Sequence, residues 1–335
     1  MLRRTFFDAF CFAFLLCAGV VAVFVSAEEQ LLNLIQDLVV VLVALAVGAG
    51  ISLLFKKFKI RTLGSVLFDL PTSEQGHPWY RSFWGWQLIV LLVVSFAVAL
   101  AKTEFSFVEL LDQNGFAGAV RLFKGLFNPN WEVLPRAVLN IIETIFMAFL
   151  ATSIAIPFAF VLSFFCAKNI MRGTVGYMVY LILRTILNVT RSIEALIWAI
   201  IFSVWVGIGP FAGMLALMIH SVASLAKQYS EMVESVEEGP IEAIESTGAN
   251  KLQTIWYAIV PQVVLPYISF TVYRWDINVR MATVIGLVGG GGIGTMLIQY
   301  QGQAMWREVG CIIVVIAVVV WALDLASAHI REALK

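Results

Sequence analysis

Apolar residues in this chain come in long runs broken by short polar stretches, not in the one-faced stripes of a soluble helix. A helix needs about 20 mainly apolar residues to cross a bilayer. The runs that meet this, or approach it, extend from the start to about residue 25 and over about 31–55, 86–101, 139–166, 193–208, 211–225, 263–287 and 309–325, predicting eight spans. Residues 174–190 are interrupted by Arg184 and Asn188 and read as a cytoplasmic or interfacial helix leading into the next span. Lys56, Lys57, Lys59 and Arg61 follow the second span, and Lys168 and Arg172 follow the fourth. Short loops rich in Lys and Arg stay inside, which places both termini in the cytoplasm. The loop at 56–85 is then cytoplasmic, and the mixed-charge stretch 102–137 is external with a surface helix. Trp79, Trp84 and Trp86 form an interfacial aromatic belt, and Gly207, Gly209 and Pro210 make an external turn. Val25-Ser26-Ala27 resembles a cleavage site, so residues 1–27 are either a retained span or a removed signal peptide. Both readings leave Glu28 and Glu29 outside.

Composition agrees with this pattern. The 335 residues are 61% hydrophobic and 13% charged, against about 45–50% and about 25% in average soluble domains, and mean hydropathy is +0.91. A disordered chain, a nucleic-acid binder with a basic surface and almost any soluble enzyme are excluded. Net charge is zero, so the placement of the charges matters more than their sum. Cys11, Cys17, Cys166 and Cys311 lie in apolar runs without metal-ligand spacing, and His77, His220 and His329 are far apart. No metal site or Cys/His pair is expected.

The most specific segment is the polar stretch 227–262, with Glu231, Glu234, Glu237, Glu238, Glu242 and Glu245 against Lys227 and Lys251. Pro240 suits a first helical position, which puts Glu242 in the first turn, where the macrodipole favours a carboxylate. Gly248 can take the left-handed conformation that ends a helix. Asn250 and Gln253 have capping-box spacing for a second short helix, and Pro261 and Pro266 bend the chain back toward the membrane. Taken alone, this is equally a solvated loop helix.

Two features inside the apolar runs need an account. Tyr273-Arg274-Trp275-Asp276-Ile277-Asn278-Val279-Arg280 lies in the seventh span, where a central Arg or Asp costs about 2.5–3.5 kcal/mol on insertion scales. At about 100° per residue, Arg274 and Asn278 share one face, and Asp276 and Arg280 share nearly the opposite face at ion-pair spacing. Asp276 and Arg280 are expected to neutralise each other while Arg274 and Asn278 face a path suited to an oxyanion. The alternative pairs Arg274 with Glu143 or Glu194. The run Gly289-Gly290-Gly291-Gly292-Ile293-Gly294 satisfies G-x-G-x-x-G, but no strand precedes it and no acidic residue stands about 20 positions later, so a dinucleotide is rejected. A re-entrant or gate element fits, and small-residue packing through Gly286 and Gly290 is the alternative.

Glu242-Ala243 with Gly248-Ala249, and Pro261 thirteen residues after the glycine, resemble the EAA loop of ABC importer permeases. The stretch 242–266, with Arg191-Ser192-Ile193, 197–202, 206–213, Tyr273-Arg274-Trp275, Asn278-Val279-Arg280 and 286–289, is similar to the phosphonate-type permease family over roughly residues 134–330. One departure stands out: Glu194 and Ala195 occupy positions where that family has proline and glutamate.

The resemblance implies an all-α polytopic membrane protein with a type I ABC importer fold. Residues 134–335 are the permease core of five spans, with the EAA-type loop near 235–262, and residues 1–133 add about three spans. It implies a permease subunit in the cytoplasmic membrane that imports phosphonate or a related phosphorus oxyanion. ATP and Mg are expected on a partner ATPase dimer, and none on this chain. The other implied partners are a periplasmic or lipid-anchored binding protein, a second permease copy (identical or a paralogue) and lipid, with no nucleic acid. Glu238, Pro240, Glu242, Ala243, Gly248 and Ala249 would couple to the ATPase. Arg274, Asn278, Asp276, Arg280 and Glu143 would border the path, and Gly289, Gly290, Gly291, Gly292 and Gly294 the gate. A methionine or other small-solute permease, and a polytopic membrane enzyme, are the alternatives.

Overall fold

The computed structural model describes residues 2–24, 34–58, 60–68, 79–103 and 105–334. The cleavage-like Val25-Ser26-Ala27, the pair Glu28-Glu29, Lys59, and the loop residues Pro71, Gly76 and Pro78 lie outside them. Among the described residues all regular structure is helical. Chain contacts divide it into two units, Met1–Gly115 and Phe116–Lys335.

The first unit contains α1 (Leu2–Phe24), α2 (Leu34–Lys57), the short α3 (Leu63–Phe68), α4 (Phe83–Lys102) and α5 (Phe107–Leu110). Gly48 lets α2 lie directly on α1, since a Cβ there would stand 2.5 Å from the Ala9 carbonyl. The start of α3 is tied down from two sides. The Asp8 carboxylate of α1 accepts from the Thr62 hydroxyl and from the Gly64 amide at 2.8 Å, and the Gln87 carboxamide of α4 accepts from the Leu63 amide at 3.0 Å. A buried carboxylate is costly unless its lone pairs are used, and Asp8 is buried.

The second unit is built on α7 (Leu134–Phe165), preceded by α6 (Gln113–Leu126). Next come α8 (Thr174–Ser192), α9 (Ala195–Val206), α10 (Pro210–Glu234), α11 (Glu238–Ser246), α12 (Lys251–Thr254), α13 (Val260–Gly286), α14 (Gly292–Gly302) and α15 (Trp306–Ala333). Small residues let α7 and α10 approach closely: Ala148, Ala151, Ala155 and Ala159 on one side, and Ala212, Ala216 and Ala226 on the other, are fully enclosed. Such seams replace the hydrophobic driving force that lipid cannot supply between apolar helices. Six helical stretches among the described residues are long and apolar enough to cross a membrane: 40–57, 83–102, 131–165, 210–234, 251–286 and 306–333.

The expected single span at 193–208 is different in the structure. α9 has 12 residues and is about 18 Å long, too short to cross about 30 Å alone. It meets α8 at a 90° break, and only the two together are long and apolar enough for a membrane segment, as a broken span or a re-entrant loop. The re-entry after the polar loop is also smoother than two prolines suggest. A π-helical turn at Ile255–Ile259 joins α12 to α13 ahead of Pro261. Pro261 has no N–H to give to the preceding turn, and a π turn is one way to absorb that defect.

α13 closes the core against α7 and α10. Asn278, buried to 1% exposure, donates to Thr152 Oγ1 on α7 at 2.8 Å and to Ser221 Oγ on α10 at 2.7 Å. One turn-pair further along, Tyr229 of α10 stacks on Tyr267 of α13, with ring centroids 3.8 Å apart. The Tyr267 hydroxyl contacts Ser163 of α7 and donates to the Tyr229 carbonyl at 3.1 Å. Replacing Asn278 with alanine removes two interhelical bonds and takes the Ser221 hydroxyl's donor away, while Thr152 keeps its bond to the Ala148 carbonyl, at a cost of about 1–3 kcal/mol. The expected result is a melting temperature several degrees lower in detergent, with Thr152→Val showing a smaller drop; unchanged melting of Asn278→Ala would contradict the clasp.

Candidate functional site

At one end of the second unit, α10 stops at Glu234 and the chain turns into α11. Glu234 is held from the α7–α8 side: its Oε1 accepts from the Lys168 amide at 2.9 Å and from Arg184 Nη1 at 2.9 Å, and Asn169 donates to the Val233 carbonyl at 2.7 Å. The Glu237 amide is caught by Gln262 Oε1 of α13 at 3.1 Å. α11 is therefore anchored at its base on both neighbouring helices, while none of its own residues is buried.

The start of α11 corrects the sequence expectation. The helix begins at Glu238 with Glu237 as N-cap, two residues before Pro240, so Glu238 rather than Glu242 occupies the first turn. An acidic residue there satisfies the macrodipole just as well. Gly248 has φ +81°, the left-handed conformation expected at the end of this helix. Asn250 and Gln253 form the expected capping box, with both bonds at 2.9 Å. Glu242, Ala243 and Gly248 are exposed and Ala249 is half-buried. A cleft of about 350 Å³ at the base of α11 brings Glu238 and Glu242 together with Glu234, Arg172 and Lys251.

At the opposite end, the glycine run is a turn rather than a helical seam. Gly289, Gly291 and Gly292 have φ of +91°, +79° and +68°, conformations open to glycine at little cost. The turn sends α14 back along α13, with Gly294 against Gly286: a Cβ on Gly294 would stand 2.0 Å from the Thr283 carbonyl. Small-residue packing is thus real, but it pairs Gly286 with Gly294 and leaves Gly290 in the turn. Thr144 of α7, which sequence reasoning missed, fixes the arrangement by accepting the Ile293 amide at 2.9 Å. A polar cavity of about 580 Å³ lies beside this turn, lined by Arg136, Asn140, Glu143, Gly291, Gly292 and Gln299 among others. Glu143 is therefore grouped with the glycine turn and not with Arg274.

The charges of α13 divide as helical geometry predicts, with one addition. Asp276 and Arg280 form an ion pair, and Arg280 also reaches Asp324 of α15 at 3.3 Å. Both residues thus face α15, which takes them away from the Arg274 face. Asp324 was missed, although it is a lone carboxylate near the end of the last apolar run. Asn278, expected on the path, has its amide hydrogens occupied in the contact with α7 and α10. Arg274 is 8% exposed. It pairs with neither Glu143 nor Glu194, and its Nε has no hydrogen-bond partner.

Comparison with known proteins agrees with this arrangement. Residues 135–335 match the family model described as the binding-protein-dependent transport system inner membrane component. The phosphite transport system permease protein PtxC of Stutzerimonas stutzeri is 34% identical over 273 residues, covering 79% of this chain and 97% of that protein. The phosphate-import permease protein PhnE of Mycolicibacterium smegmatis is 34% identical over 239 residues, covering 71% of this chain and 44% of that protein. Among solved structures, the MetNI methionine ABC transporter in an inward-facing conformation aligns with a TM-score of 0.53 at 21% identity, over 62% of this chain and 99% of that one. The fold and these relatives define the transmembrane permease subunit of an ABC importer, with a type I importer core. The chain belongs to the binding-protein-dependent transport system inner membrane component family. It is a multi-pass inner-membrane transport subunit rather than an enzyme; ATP hydrolysis resides on a separate subunit, and the family implies a substrate-binding protein as partner.

The glycine turn yields a direct test. Gly292→Ala places a Cβ 2.3 Å from Thr144 Oγ1 at a backbone angle that costs a non-glycine residue about 1–3 kcal/mol. Reduced yield of monodisperse protein is expected, with Gly302→Ala, whose Cβ meets nothing within 4 Å, behaving as wild type.

Proposed function

We propose that this permease imports phosphonate or a closely related phosphorus oxyanion, such as phosphite or phosphate. The reading is carried by the 34% identity to a phosphite permease across 79% of the chain; the methionine transporter likeness, at 21% identity, speaks for the fold alone. In this reading two permease copies, identical or paralogous, sit on an ATPase dimer and receive substrate from a periplasmic or lipid-anchored binding protein. The end bearing α11 faces the cytoplasm, both termini lie there, and the glycine turn faces outward.

The mechanism starts at α11. Glu238, Pro240, Glu242, Ala243, Gly248 and Ala249 present the helix to a groove of the ATPase, and its anchored base transmits the displacement to α10 and, through the Glu237–Gln262 bond, to α13. The lever shifts the bundle between inward- and outward-facing states only because ATPase and binding protein contact those two states with different free energies. Gly289, Gly290, Gly291, Gly292 and Gly294 act at the outer mouth, where Glu143 and Arg136 border the vestibule. Arg274 is the cation that meets the anion on its way, while Asp276, Arg280 and Asn278 hold the wall in shape.

The experiment is uptake by proteoliposomes containing the assembled transporter and binding protein, offered phosphite, methylphosphonate or methionine. Uptake of a phosphorus oxyanion in preference to methionine is expected; uptake of methionine alone discards the substrate assignment. The double substitution Glu242→Lys with Gly248→Asp is expected to cut uptake about tenfold or more, because misplaced charge in an interface costs several kcal/mol. Binding-protein stimulation of the ATPase should fall with it, and full stimulation in that variant would remove α11 from the coupling role.

A further inference from the structure

The break between α8 and α9 carries charges that neither the packing nor the coupling helix uses. Arg191 lies in the last turn of α8, and Glu194 stands as N-cap of α9 with its side chain making no capping bond. The two helices turn through 90° between them. Trp198 pins the break by donating from its indole to the Thr190 carbonyl at 3.3 Å. Across from the break lies His220 of α10, the residue next to the Asn278 partner Ser221. Ala195 of α9, Ile219 of α10 and Trp275 of α13, each one residue from Glu194, His220 and Arg274 respectively, lie in one packed cluster, and Arg274, Glu194 and Arg191 are the charged groups that act on the His220 ring. Arg191 also lies within electrostatic range of Arg274. Four helices, α8, α9, α10 and α13, thus bring two guanidinium groups, one imidazole and one carboxylate to a single locality, with Arg274 buried and Arg191 and Glu194 exposed at the break.

The charge arrangement is unbalanced. Guanidinium groups stay charged, so two fixed cations face one carboxylate. Arg274 is more than nine-tenths buried and its Nε is unpartnered. A buried cation left without a counter-charge is strongly unfavourable, and within a membrane bundle such residues mark substrate paths. A guanidinium is a planar fork of donors that matches the edge of an oxyanion.

We propose that Arg274, His220 and Arg191 form a transient oxyanion station at the α8–α9 break, and that Glu194 keeps it weak by competing for the same cations. This rests on the phosphorus-oxyanion reading above and adds His220, Arg191 and Glu194 to it. Irregular backbone at membrane depth is tolerated where it borders a cavity or is buried in protein, and the 90° break between α8 and α9 is such irregular backbone. Glu194 has a specific part: a station with two unopposed guanidinium groups would hold an anion too long, and the carboxylate provides an internal ligand to take its place on departure.

The test uses the full transporter with its ATPase and binding protein in proteoliposomes, measuring phosphite carried and ATP hydrolysed. Arg274→Gln is expected to lower phosphite uptake about tenfold or more, the effect of losing a charge-assisted bond of about 1.5–3 kcal/mol, while binding-protein-stimulated ATP hydrolysis persists. Phosphite carried per ATP therefore falls. Arg274→Lys should recover part of the uptake, and His220→Gln and Arg191→Gln should each lower phosphite per ATP by a few-fold. Wild-type phosphite per ATP in Arg274→Gln overturns the station without touching the substrate assignment. Failure of the wild type to carry any phosphorus oxyanion is a separate result that removes both. Should Arg274→Gln not assemble, the His220 and Arg191 variants decide: normal assembly with lowered phosphite per ATP supports the station, and unchanged phosphite per ATP overturns it. A loss of permease pairing in Arg274→Gln, rescued by no change in substrate, assigns the arginine to a carboxylate of a second copy and overturns the proposal as well.

Discussion

In hydrocarbon a polar side chain has no water to fall back on, and the second unit is organised around that constraint. Three of its helices meet where Asn278 donates both amide hydrogens, one to Thr152 and one to Ser221. Lipid gives apolar helices little reason to choose one neighbour or one rotation over another. A carboxamide with two dedicated acceptors gives that reason, because a rotation of α13 or a one-residue slip leaves it unsatisfied. The alanine seam of α7 and α10 then fits around a register already fixed. The charges follow the same logic: Asp276 and Arg280 find each other and Asp324, and the face left over carries Arg274.

The turn between α13 and α14 depends on the same economy in backbone form. Gly289, Gly291 and Gly292 adopt positive φ, and the amide that follows is received by the Thr144 hydroxyl. Polar atoms that would be orphaned at a helix end are met by a side chain from α7, so the chain can reverse without water. The cavity lined by Glu143 and Arg136 is the space beside that reversal.

Much of this was legible in the sequence because membrane helices announce themselves by length and apolarity, and because Asn250, Gln253 and Gly248 obey local rules that need no tertiary partner. The opposite-face pairing of Asp276 with Arg280 was likewise a matter of helical angle alone. Residues whose role depends on a distant helix were not legible. Asn278 reads as a path residue until Thr152 and Ser221 are placed beside it. Thr144 and Asp324 look like incidental polar residues in apolar runs. The boundary between α8 and α9 is legible from Arg184 and Asn188, which interrupt the apolar run; that α9 covers only Ala195–Val206 and depends on α8 for membrane length is not. The start of α11 was misjudged because Pro240 was given the first helical position, whereas the chain already turns helical at Glu238.

The stacked tyrosines have a mechanical consequence. Tyr229 and Tyr267 lie face to face, and their hydroxyls reach Thr271, Ser163 and the backbone of the opposite helix. Sliding α10 along α13 would break the stack and these bonds together. Beyond this rivet α10 runs on toward the start of α11, and α13 connects to its other end through α12 and the π turn, so a push on α11 would meet two helices that cannot slide freely past each other. A displacement applied at the tip then reaches the depth of Asn278 as rotation of a whole block, and little of it is lost to shear between the two helices.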